Sequence, residues 1–221
     1  MNRARLSAWV GLVTVIAAVN YAARFAGTSG SSNARNEVYS YSTFASGLIV
    51  YAFWLGIVLA IAVDRWDLLA LRRPPSWWRA AGLGLAAVVA IYVLEGIVSA
   101  LPLPESPGKE QGLTPTRWEP AHAGAFAANV VLFAVVAPIV EELTFRGVGQ
   151  SLLRFLGRTP SIVLVGIAFG VAHGLVEALV VLVPFGIALA WLRERTRSVY
   201  PGMVVHGLFN GVALAAAVLI S

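Results

Sequence analysis

Long apolar runs broken by short polar, basic or Gly- and Pro-bearing connections set the pattern of this chain. Seven runs approach the length a helix needs to cross a bilayer, about 20 residues. They are approximately Leu6–Ala23, Thr43–Val63, Ala80–Leu101, Gly124 to beyond Glu142, Ser161–Gly174, Ala178–Leu192 and Val199–Ile220. The fifth and sixth are short and joined tightly near Gly174–Glu177, which predicts a tilted hairpin or a broken pair. The first run, behind Arg3 and Arg5, exceeds the roughly 7–15 residues of a signal-peptide core and reads as an uncleaved helix. The pattern predicts an all-α fold, a polytopic transmembrane helix bundle of about seven spans. Two polar connections, Arg24–Ser42 and Pro102–His122, read as flexible loops without a core of their own.

Composition agrees: of 221 residues 58% are hydrophobic and 12% charged, with a mean hydropathy of +0.78, whereas soluble domains carry about 25% charged residues. Lys and Arg number 16 against 11 Asp and Glu. The basic residues sit in short clusters between apolar runs rather than along one polar face, which excludes a nucleic-acid surface. Eleven of them flank one side of the predicted spans (Arg3, Arg5, Arg65, Arg72, Arg73, Arg79, Arg154, Arg158, Arg193, Arg195, Arg197) and four the other (Arg24, Arg35, Lys109, Arg117). The positive-inside rule then predicts a multi-pass protein of the cell membrane with its N-terminus in the cytoplasm. The absence of cysteine excludes a thiolate nucleophile, a thiolate metal site and a disulfide framework.

Against this background six ionisable side chains fall inside or at the edges of apolar runs: Glu95, Glu141, Glu142, Arg146, His173 and His206. A charge at bilayer depth costs at least about 2.5–3.5 kcal/mol, so such groups pair inside a bundle and mark chemistry or transport. On a helix Glu142 and Arg146 share a face, while Glu141 points about 100° away. Glu141 is left as the unpaired acid. Phe169 shares a face with His173, and His206 with Asn210, offering an imidazole and an amide donor together. Counted from the basic side, Glu141, His173 and Asn210 each lie about 12–14 residues in, or about 20 Å at 1.5 Å per residue. All can meet at one depth. Glu95 reads as mid-span in the third helix, lining the cavity, snorkelling or pairing with Arg146.

The three motifs Glu141-Glu142-x-x-x-Arg146, Phe169-x-x-x-His173 and His206-x-x-x-Asn210, in this order, resemble the CPBP family, the CAAX-processing and bacteriocin-processing (Abi) intramembrane proteases. Ala-Pro-Ile-Val before the glutamates and Phe-Arg-Gly after them are also similar to the family pattern. The resemblance covers Pro138 to about Gly211 and implies hydrolysis of a peptide bond by water. Glu141 and His173 would activate the water, His206 and Asn210 would stabilise the oxyanion, and Glu142, Arg146 and Phe169 would support them. It divides one membrane domain into N-terminal helices and outer loops, 1–123, and a catalytic core, 124–221. No cofactor is required in the favoured reading; in the alternative, zinc is held by His173, His206 and Glu141. The expected partners are a peptide or protein substrate at the membrane and the bilayer itself.

Other readings stay open on the residues alone. A non-catalytic immunity or scaffold protein could keep the same cluster for binding, and Glu, His and Arg chains also serve proton-coupled transport. Gly27-Thr-Ser29-Gly30 matches a rhomboid-like string but lies in a polar loop without a base. Asp64 and Asp67 share one connection, which excludes an aspartyl protease, and no His-Glu-x-x-His zinc motif occurs.

Overall fold

The computed structural model describes residues 3–26, 34–100 and 118–219. Among these, seven long helical segments follow the seven apolar runs: α1 (Arg3–Phe25), α2 (Tyr41–Ala62), α3 (Trp77–Ser99), α4 (Pro120–Leu156), α5 (Arg158–Ala172), α6 (Leu179–Thr196) and α7 (Tyr200–Leu219). No strand occurs among the described residues. Helices α1 to α4 are each long and apolar enough to cross a membrane, and α5 is a shorter apolar helix. The chain is an all-helical membrane protein. The rhomboid-like string at Ser29 and most of the Pro102–His122 connection fall outside the described residues.

Local chemistry fixes the helix ends. Ser40 and Ser76 cap α2 and α3, each hydroxyl accepting from a first-turn backbone N–H, which satisfies donors a helix start leaves open. Gly157 (φ +100°) ends α4, and Gly174 (φ +68°) turns the chain after α5. A Cβ on Gly174 would also stand 2.6 Å from the Asn20 backbone, so both the turn and the approach of α1 require glycine. Helices α5 and α6 form the tight hairpin expected from their length. Gly166 and Gly170 lie against Ile187 and Val183, and Gly186 against the Gly166 carbonyl, the small-residue contact by which membrane helices approach closely.

One end of the bundle gathers the basic connections. There Arg72 Nε donates to the Arg197 carbonyl at 2.6 Å, Arg5 to the Ile61 carbonyl at 3.1 Å, and Arg193 to Ser151 Oγ at 2.7 Å. Arg154 pairs with Glu194. At the opposite end, Asn129 Nδ2 donates to the Val38 and Ser40 carbonyls, holding the turn before α2 against α4.

Helix α4 carries the glutamates and is irregular where they lie. Two π-helical segments, Leu132–Val136 and Leu143–Gly149, flank Ala137–Glu142. Such segments interrupt the regular hydrogen-bond ladder and are frequent at functional sites. Side chains meet carbonyls of both: Asn210 Nδ2 donates to Phe133 O at 2.9 Å and Trp9 Nε1 to Thr144 O at 2.9 Å.

Candidate active site

Every residue of α4 from Glu141 to Gln150 is buried, and Glu141, Glu142, Arg146 and Gln150 among them meet polar groups of other helices. Arg146 Nη1 donates to Glu142 Oε1 at 2.7 Å, both side chains fully buried. Its Nη2 donates to the Gly186 carbonyl at 3.1 Å, and its guanidinium carbon lies 4.2 Å from the centroid of the Phe169 ring. The Arg146 fork thereby ties α4 to α5 and α6. Glu142 Oε2 faces α7, where a Cβ on Gly202 would stand 2.5 Å from it.

His206 reaches both glutamates. Its Nδ1 is 3.2 Å from Glu142 Oε1 and its Nε2 is 3.7 Å from Glu141 Oε2. His173 Nδ1 is 2.8 Å from the Phe169 carbonyl; a carbonyl only accepts, so Nδ1 carries the proton and Nε2 is turned towards Glu141 Oε2, 3.9 Å away. The Phe169 ring packs edge-on against both imidazoles, with centroids at 4.6 Å from His173 and 5.5 Å from His206. Glu141 itself is 7% exposed. Its Oε1 accepts from Tyr51 Oη at 3.3 Å, while its Oε2 has no hydrogen-bond partner among the described residues.

These groups form the wall of a cavity of about 330 Å³. Glu141, His173, His206, Asn210 and Tyr51 line it together with aromatic residues such as Phe133 and Phe209. Glu141, His173 and His206 thus converge on one point, and Asn210 borders the same space with one amide N–H committed to Phe133 O. Tyr51 was not legible in the sequence, since it stands in an uninterrupted apolar run of α2 with no polar neighbour at helical spacing.

Of the three placements expected for Glu95, lining the cavity, snorkelling or pairing with Arg146, the structure leaves snorkelling. Glu95 lies about one turn from the end of α3 at Ser99, does not line the cavity and is not the partner of Arg146. Of the two aspartates, Asp67 is engaged by Arg65 at 2.9 Å, and that hydrogen bond holds its carboxyl below the ordinary range.

Zinc ligands at about 2.0–2.2 Å in tetrahedral array stand about 3.3–3.6 Å from one another. The Glu141 to His206 and Glu141 to His173 separations are 3.7 and 3.9 Å, and no group of three His, Asp or Glu among the described residues is disposed to hold a metal ion. The two separations come within a few tenths of an ångström of that spacing.

The family model described as Type II CAAX prenyl endopeptidase Rce1-like matches residues 123–212. No curated protein and no solved structure matches the chain. The matched stretch holds all three motifs and reaches upstream of them to Ala123, the start of the regular part of α4. Over residues 123–212 the chain is thus similar to the CPBP family of CAAX-type membrane proteases.

Proposed function

We propose that this chain is an intramembrane endopeptidase that hydrolyses a peptide bond with a water activated by Glu141. The observation that supports this most is the disposition of Glu141 Oε2: buried, without a hydrogen-bond partner, and facing two imidazole nitrogens across a cavity. The distances to the two rings exceed a direct hydrogen bond, and a substrate water can hydrogen-bond to Oε2 and His173 Nε2 at once. Glu141 takes a proton from that water as its oxygen attacks the carbonyl carbon. The resulting oxyanion is stabilised by the second N–H of Asn210 and by His206. His206 Nδ1 is turned to Glu142 Oε1, so a proton on Nε2 is the one that donates to the oxyanion. Glu141 then passes its proton to the leaving amine as the carbon–nitrogen bond breaks, which returns Glu141 to a carboxylate and leaves a carboxylic acid and an amine that exchange protons with solvent.

Glu142, Arg146 and Phe169 hold the two imidazoles and Glu141 in register in this reading, and Tyr51 fixes Glu141 Oε1 so that Oε2 is the reacting oxygen. No step runs through a metal. The test is incubation of the detergent-purified chain with a peptide mixture in heavy-oxygen water. Fragments whose new carboxyl terminus carries one heavy oxygen are expected. Failure to cleave any peptide of the mixture overturns the proposal.

A further inference from the structure

Resting on the protease reading, we infer that the site is supplied from the face of the membrane opposite the basic connections, so that its substrate is an extended, apolar segment of a polypeptide on the extracytoplasmic side. Two independent features of the bundle lead there. The first is where the cavity goes. From His206 it extends past Glu141 and His173 to Asn20 and Arg24 at the C-terminal end of α1 and to Ala213 and Leu214 in the second half of α7. All four belong to the end of the bundle remote from the connections that carry the eleven basic residues. In the other direction the cavity is closed: Glu142, Arg146, Val148 and Gln150 are fully buried on α4, as are Leu189, Leu192 and Val199 beyond them. The buried ion pair thus forms a floor between the site and the basic end.

The second feature is the charge partition itself. The connections that carry eleven basic residues are joined in space by contacts of Arg72 with Arg197, Arg5 with Ile61 and Arg154 with Glu194. A concentration of Arg at one end of a bundle sets that end in the cytoplasm. The open end is then extracytoplasmic. A cytoplasmic C-terminal tail would face the sealed floor, whereas an extracytoplasmic segment enters beside Ala213 and passes Phe209 and Phe185 to reach Glu141. Those rings favour apolar side chains next to the scissile bond.

The natural absence of cysteine makes the direct test clean. Ala213→Cys puts a thiol in the exposed part of the cavity wall and Arg73→Cys puts one on the exposed basic end. In intact cells a charged, membrane-impermeant maleimide should label Ala213→Cys and spare Arg73→Cys, which should react only after lysis. The reverse pattern, or no labelling of Ala213→Cys in intact cells, overturns the inference. A second arm uses sealed vesicles and a quenched-fluorescent peptide with an apolar centre and lysine ends that cannot cross lipid. Right-side-out vesicles should cleave it, and inside-out vesicles should lose cleavage until detergent opens them; cleavage by intact inside-out vesicles alone overturns the inference. If the peptide survives even in detergent, the protease reading has failed, and the thiol pattern still decides the side of access.

Discussion

Removing Arg146 should destabilise the bundle before it disturbs chemistry directly. Arg146→Ala deletes the 2.7 Å ion pair with Glu142 and the 3.1 Å hydrogen bond to Gly186 O, leaving a fully buried carboxylate with only His206 beside it. Breaking a buried pair from one side costs about 3–5 kcal/mol. For a chain of this length, that corresponds to a fall in melting temperature of about 6–20 °C, at roughly 2–4 °C per kcal/mol. Arg146→Lys should recover part of this at most, because one ammonium cannot reach both Glu142 and the Gly186 carbonyl. The paired change Arg146→Met with Glu142→Leu should melt closer to wild type than Arg146→Met alone, since removing both charges leaves none unpaired. It should still be inactive, because His206 Nδ1 has then lost its acceptor. Thermal unfolding in detergent, followed by tryptophan fluorescence alongside peptide cleavage, separates the two effects. Unchanged melting of Arg146→Ala would refute the assignment of this pair as the tie between α4, α5 and α6, and loss of activity at full stability would move Arg146 into the chemistry.

Tyr51→Phe removes the hydrogen bond that Tyr51 Oη gives to Glu141 Oε1; at the lower end of the range for bonds to a charged acceptor, about 1.5 kcal/mol, kcat should fall about tenfold with KM little changed, and unaltered kcat would remove Tyr51 from the site. Asn210→Asp should be less active than Asn210→Ala, because a carboxylate repels both the oxyanion and the Phe133 carbonyl it faces, whereas alanine only fails to donate; loss of one such donor costs about 10²–10³ in kcat. Dialysis against a chelator should leave cleavage intact, while one tightly bound zinc per chain with zinc-restored activity would replace the metal-free account.

The seven helices were legible because a bilayer imposes one length and one polarity on every span, and the ends of α2 at Tyr41 and Ala62 lie within a few residues of the apolar run. The four-residue spacings were legible for the same geometric reason: Glu142 with Arg146 and His173 with the Phe169 carbonyl are neighbours within one helix. Contacts between helices were not. Nothing in an apolar run distinguishes Tyr51 from an aromatic anchor until α2 is placed against α4. The meeting of His206 with Glu142 depends on how α7 crosses α4, and on Gly202 leaving room for the carboxylate. The π-helical segments of α4 leave no composition mark either, although they lie where Asn210 and Trp9 engage the backbone.

Glu141→Gln tests the central claim most directly. The amide keeps the volume of the carboxylate and can still accept from Tyr51, so the variant should fold and melt like the wild type, yet it cannot take a proton from water. Loss of a general base lowers rate by about 10²–10⁴. Initial rates of peptide cleavage by wild type and Glu141→Gln, purified side by side in detergent, should therefore differ by at least two orders of magnitude at equal stability. Near-normal turnover by Glu141→Gln would contradict the account.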